Sequence, residues 1–275
     1  MKKFLKRFLL FFCLPVVIFV AFVYGSTLYI RNWMPEHFDY QDSTAHFNIS
    51  YNESEKAAIE DLKSQLENNY DRITTDLKQP MDKPVNIKIY PDLESFHFAN
   101  KLKSGIFWWI NIFKKEESWV VGNTDLSGDI MMVSPLNPGE NGFTYDDILK
   151  VAVHEFTHAV SIKAGNNVGF IRSGFGMLLS EGLAVYEAGQ GSDYEKDEQF
   201  SSKVLAAVPQ SIDDIRPDST YRYYAGYSFV KYVVENYGYD KILELLKKDY
   251  SGNNYDNETK ALYNEWLEYL KANQN

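Results

Sequence analysis

Apolar and polar positions are patterned in several distinct ways along this chain, and each pattern predicts a different element. Near the N-terminus, Phe8 to Ile30 is a run of 23 residues without a charge, preceded by Lys2, Lys3, Lys6 and Arg7. A helix of that length reaches roughly 34 Å, enough to cross a bilayer core. The basic flank predicts that the N-terminal tip stays in the cytoplasm and that the rest of the chain lies outside. A cleaved signal peptide is the competing reading. The run is long for that, and Tyr24-Gly25-Ser26-Thr27 is a poor cleavage site. Both readings export the remainder, which is secreted if the segment is removed. The expected division is 1–33, a basic tip with a transmembrane signal anchor, and 34–275, one globular domain.

Beyond residue 34 the periodicities alternate between strand and helix. Ala45 to Tyr51 predicts a strand. From a cap at Asn52 or Ser54, Ala58, Leu62, Leu66, Tyr70, Ile73 and Leu77 recur near helical spacing. Pro80 and Pro84 break the chain, and Val85, Ile87 and Ile89 share one side of a strand ending at Tyr90. A short helix is expected over Asp92 to Leu102, then strands at Ser118 to Gly122 and Ile130 to Ser134. Thr144, with Asp147 as capping-box partner, opens a helix running to about Ala164. Helices follow at Met177 to Ala188, Tyr221 to Tyr237, Asp240 to Lys248 and Glu258 to Ala272, with Pro209 to Asp218 as a connecting loop. Strands first and helices later predict an α+β domain, a small mixed sheet packed on helices.

Composition narrows the function classes. The chain has 45% hydrophobic and 24% charged residues, which is globular rather than disordered. The net charge of -10 is uneven: without Lys2, Lys3, Lys6, Arg7 and Arg31, 23 basic residues face 38 acidic ones. Such a surface repels nucleic acid, so no nucleic-acid partner is expected. The single cysteine, Cys13, lies in the apolar N-terminal run. A zinc site in the domain must therefore use histidine and carboxylate.

The candidate chemistry begins at Val151-Ala152-Val153-His154-Glu155-Phe156-Thr157-His158, which contains H-E-x-x-H. Residues four apart lie on one helical face, so both imidazoles can address one metal ion, while Glu155 can reach the water activated there. The flanks are apolar all round, which buries the helix and makes unpaired polar groups on it costly. A catalytic zinc takes three protein ligands and leaves one position open. No histidine follows His158, so the third ligand is a carboxylate or comes from upstream. Glu181, in Ser180-Glu181-Gly182-Leu183-Ala184, supplies it from a second helix expected to pack antiparallel on the first. Gly182 and Ala184 would allow a close contact between these two helices. Glu187 is a rival ligand, but it lies nearly two turns further on and points to a different side.

These residues resemble the gluzincin metallopeptidases, and most of all the group called peptidase MA-like domains. In that group H-E-x-x-H precedes a helix of the form W-L-S-E-G-x-A-x-Y. Here the counterpart is Leu178-Leu179-Ser180-Glu181-Gly182-Leu183-Ala184-Val185-Tyr186, with Leu178 in place of tryptophan. The resemblance implies a zincin-like fold, one Zn2+ on His154, His158 and Glu181, and Glu155 as general base in hydrolysis of a peptide or protein substrate. It implies a phenol that stabilises the oxyanion. Tyr223 corresponds best, with Tyr224 and Tyr227 as neighbours. It further implies that an extended substrate pairs with an edge strand, which Ile130 to Ser134 would form. No counterpart of the G-x-M-E-N motif of the aminopeptidase branch is present beyond the faint Gly139-Glu140-Asn141, so endopeptidase action is the expectation. A zinc hydrolase of a non-protein amide and a catalytically silent zinc-binding surface module remain as alternatives. Gly105 to Phe113 is densely aromatic, and burial, the cleft and the membrane interface are its open readings.

Overall fold

The computed structural model describes residues 13–33, 36–103, 119–140, 142–165, 173–217 and 220–273. The first helix, α1, spans Leu14–Trp33. Val16, Val17, Ile18, Val20 and Phe22 are all exposed on it. Among the described residues no helix is long and apolar enough to cross a membrane; Phe8 to Phe12 of the expected span lie outside them.

Alternation then builds the sheet. Strand β1 covers Tyr40–Ser43, and β2 covers Phe47–Tyr51, where Phe47, Ile49 and Tyr51 point inward. A reciprocal cap in which the Asn52 N–H donates to Glu55 Oε2, at 2.9 Å, starts a short 3-10 turn that runs into α2, Ile59–Asp76. Strand β3 is Val85–Tyr90, and α3 is Leu93–Lys103. Two short strands follow, β4 at Gly122–Thr124 and β5 at Ile130–Val133. The sheet order is β1-β2-β3-β5-β4. The β2/β3 and β3/β5 pairs are parallel, while β1 and β4 run antiparallel to their neighbours.

This order corrects the expectation for Ile130 to Ser134. Strand β5 is flanked on both sides, so it is not an edge; among the described strands the edges are β1 and, beside β5, β4. The physical reason is visible in the residues. Ile130-Met131-Met132-Val133 is apolar at every position and buried at every position, as a strand covered on both faces must be. Gly122-Asn123-Thr124 is short, polar and half-buried, which suits an edge. The strand expected from Ser118 to Gly122 thus starts later than its sequence suggests.

Helix α4, Tyr145–Gly165, packs with α2 on one face of the sheet. The rings of Phe47 and Phe156 meet edge-on at 5.1 Å, and Tyr70 stacks on Phe156 at 5.5 Å. Helix α3 covers the other face, where Tyr90, Phe96, Ala99 and Met131 form a smaller cluster. Thr144 and Asp147 cap α4 reciprocally, at 2.8 and 3.2 Å, as expected. Helices α5 (Gly174–Glu187), α6 (Phe200–Ala207), α7 (Arg222–Tyr237), α8 (Tyr239–Lys247) and α9 (Asn257–Ala272) build the rest. β1, α6 and the 3-10 segment Gln190–Lys196 have no counterpart in the expected layout. The aromatic stretch Gly105 to Phe113 lies outside the described residues.

Helices α5 and α7 approach one another backbone to backbone. A methyl group added at Gly182 would lie 2.1 Å from the Gly226 carbonyl carbon, and one at Gly226 would lie 2.3 Å from the Leu178 carbonyl oxygen. Gly182 therefore serves the crossing with α7, not the expected contact with the H-E-x-x-H helix.

Candidate metal centre

Helix α4 is buried almost all round, so its polar residues need partners inside the protein. His154 and His158, one turn apart, bring their Nε2 atoms to 3.1 Å. Glu181 on α5 faces them: its Oε2 lies 3.3 Å from His154 Nε2 and 3.5 Å from His158 Nε2. Donors about 2.0 to 2.1 Å from a tetrahedral zinc are about 3.3 Å from one another. The three observed separations match that spacing, so the donor set fits one zinc-sized cation.

The ring orientations support the same reading. Gln190 Oε1 accepts from His154 Nδ1 at 2.9 Å, which orients the ring with Nε2 turned toward Glu181. Ser180 Oγ holds His158 Nδ1 at 3.2 Å. Burial pushes the Glu181 carboxyl up, but the hydrogen bonds and charge of the two histidines outweigh it and hold it well below the usual carboxylate range. Burial also disfavours charging His158, yet its hydrogen bond to Glu181 raises it above the ordinary value. The centre is thus held together by a carboxylate that stays ionised.

A cleft of about 790 Å³ opens over these donors. One wall is β4, with Thr124 Oγ1 bonded at 2.6 Å to Glu155 Oε2 and within 2.9 Å of the Glu155 carbonyl oxygen. Gly122 is the reason the Glu155 carboxylate fits under this strand: a methyl group there would lie 2.6 Å from Glu155 Oε1. The other wall is the start of α7, where Tyr223 and Arg222 line the cleft. A model of the Peptidase MA superfamily matches residues 126–274, more than half of the chain.

The chain belongs to that superfamily. No curated protein and no solved structure matches it. In this peptidase MA chain the matched segment holds His154, Glu155, His158, Glu181 and Tyr223, and it begins just past β4.

The structure separates the three tyrosines. The Tyr223 ring lies 6.4 Å from that of His154 and packs edge-on against Trp119 at 5.8 Å. Burial, and then the charge of Glu181, raise its phenol above the ordinary value, so it stays protonated near neutral pH and can donate. Tyr224 also reaches the cleft, but its ring faces Tyr194. Tyr227 is turned away, donating to Glu195 Oε1 at 2.5 Å. Glu187, the rival ligand, is buried in a separate network in which Arg72 pairs with its carboxylate and Tyr239 donates to it at 2.6 Å. Sequence reasoning missed Gln190, Thr124 and Arg222. The one signal for Arg222 was its position beside Tyr223 at the head of a predicted helix.

Proposed function

We propose that this chain is a membrane-anchored, extracytoplasmic zinc endopeptidase in which His154, His158 and Glu181 bind the metal and Glu155 is the general base. The observation that carries the reading is the convergence of three donor atoms, on buried His154 and Glu181 and half-buried His158, at tetrahedral spacing in the cleft that also holds Glu155. A zinc ion held by this set would supply Lewis acidity, polarising a carbonyl and acidifying a water molecule. Glu155 takes the proton of the attacking water and passes it to the leaving amine. Its carboxylate is aimed for this by the Thr124 hydroxyl. Tyr223, protonated and at the cleft wall, donates to the carbonyl oxygen as it becomes negative. Among the described residues strand β4 has a strand neighbour on one side only, so an extended substrate can add to its other side through backbone pairing.

The membrane part of the proposal rests on the uncharged run Phe8 to Ile30 with its basic flank and on the exposed apolar side chains of α1. Alkaline extraction of membranes carrying the full chain tests it, since release into the soluble fraction would remove the anchor.

The activity is tested by zinc content and peptide-library cleavage of the full chain in detergent, beside Glu181→Ala. About one zinc per chain, lost in the variant, with chelator-sensitive cleavage at interior bonds, is the expected result. A well-folded parent without zinc sinks the reading. Zinc without cleavage of any peptide moves the assignment to a hydrolase of another amide or to a silent binding module.

A further inference from the structure

Glu181 has two carboxylate oxygens, and they face different groups. Oε2 is turned to both imidazoles. Oε1 is turned to Arg222, whose Nε lies 3.6 Å away. The guanidinium is itself fixed on its other nitrogens. Nη1 donates to the Pro217 carbonyl oxygen at 3.1 Å, and Nη2 donates to the Tyr223 hydroxyl oxygen at 3.2 Å. Its carbon lies 5.8 Å from the Trp119 ring centre and 5.0 Å from that of Tyr223. Among the described residues, Arg222 Nε is the one buried side-chain nitrogen without a hydrogen-bond partner. A buried N–H of that kind is costly unless the charge in front of it compensates, and the charge in front of it is Glu181.

We infer that Arg222 is a positioning residue that holds Glu181 as a one-oxygen ligand and orients the Tyr223 hydroxyl, a role that rests on the metal reading above. With Oε1 drawn to the guanidinium, only Oε2 is presented to the imidazoles, which leaves the remaining coordination position open for water or substrate. Because Nη2 donates to the Tyr223 oxygen, the phenol's own hydrogen stays free to be given to a substrate, and accepting that bond from a cation makes it a better donor. Only a planar guanidinium can address Pro217, Tyr223 and Glu181 at once. A lysine would carry the charge without the fork.

The test is metal binding rather than turnover. Zinc affinity of the full chain in detergent is measured by competition with a chelator, and cobalt(II) is loaded separately to read coordination from its visible absorption. Arg222→Ala and Arg222→Lys are both expected to lose about 10- to 100-fold in zinc affinity, the usual cost of removing the partner of a ligand. Their cobalt spectra should weaken toward those of five- or six-coordinate sites as Glu181 swings to chelate. Tyr223→Phe should keep the parent's zinc affinity, since its hydroxyl touches no ligand. If both Arg222 variants bind zinc within about twofold of the parent, with the parent's cobalt spectrum, and only KM for a peptide rises, Arg222 contacts substrate and the clamp is overturned. Parent-like affinity in Arg222→Lys alone would show that charge suffices, and would overturn the fork argument even if Arg222→Ala does not fold. A parent that binds no zinc sinks this inference together with the function above, whereas a zinc-binding parent with unaffected variants sinks this inference alone.

Discussion

The two sides of the cleft are built by different means. On the donor side, His154, His158 and Glu181 are carried by long buried helices, and one helical turn sets the spacing of the two imidazoles. On the opposite side, the edge strand β4 and the first turn of α7 come from segments about a hundred residues apart. Their positions depend on glycines. Gly122 admits the Glu155 carboxylate, and Gly182 against Gly226 lets α7 approach α5 backbone to backbone. The donor side decides that a cation can be held. The wall side decides what a base, a phenol and a substrate can do beside it. Substitutions on the two sides should therefore separate binding from turnover, except at Arg222, which reaches from the wall to Glu181.

The largest expected effect is on turnover alone. Glu155→Gln removes the proton acceptor while leaving all three donors in place, so kcat should fall about a thousandfold, equivalent to about 4 kcal/mol of barrier. Zinc content should stay at the parent level. Loss of zinc in this variant would show that Glu155 belongs to the donor set, and the division between the two sides would break.

The next effect is on the joint between the sides. In Gly182→Ala the new methyl meets the Gly226 backbone, which has no rotamer with which to move away. Helices α5 and α7 must separate, at a cost of about 3 kcal/mol. For a chain of this size that is a fall of roughly 10 °C in the thermal midpoint, read by circular dichroism. Zinc affinity and activity should both fall, activity the further, because α7 carries Tyr223 as well as Arg222, which holds Glu181. An unchanged midpoint would mean that the crossing is looser than its glycines indicate.

What the sequence made legible divides along the same line. The α+β class follows from the order of strands and helices, and the capped helix at Thr144 and the candidate donors His154, His158 and Glu181 follow from spacings within one or two helices. The strand Val85 to Tyr90 and the long helix ending near Leu77 follow from simple periodicity. The edge strand was misassigned because the unbroken apolar run Ile130 to Val133 marks burial on both faces, whereas the actual edge, Gly-Asn-Thr, is too short to carry a period. Gly182 was read as a helix-contact residue, but its partner Gly226 lies 44 positions away and nothing local points to it. Among 20 tyrosines, Tyr223 is distinguished only once its ring is seen beside His154. Gln190 sits in a short 3-10 segment with no periodic signal, so the acceptor that orients His154 is visible only in three dimensions.

The smallest expected effect tests the finest point of the comparison, the link between the edge strand and the base. Thr124→Val keeps the shape and the β-branched backbone preference of the strand but removes the hydroxyl that meets Glu155 Oε2 at 2.6 Å. The carboxylate remains, close under Gly122, but it loses the donor that fixes its rotamer. A fall of about tenfold in kcat, some 1.4 kcal/mol, is expected, with zinc affinity and KM near those of the parent. Thr124→Ser should recover most of the loss, because it restores the hydroxyl on the same carbon. If Thr124→Val is as active as the parent, Glu155 is positioned from its own helix, and the edge strand contributes a surface for substrate but no part of the aim. If serine fails to recover the loss, the methyl contact rather than the hydrogen bond sets the strand against α4. The comparison would then rest on packing on both sides of the cleft.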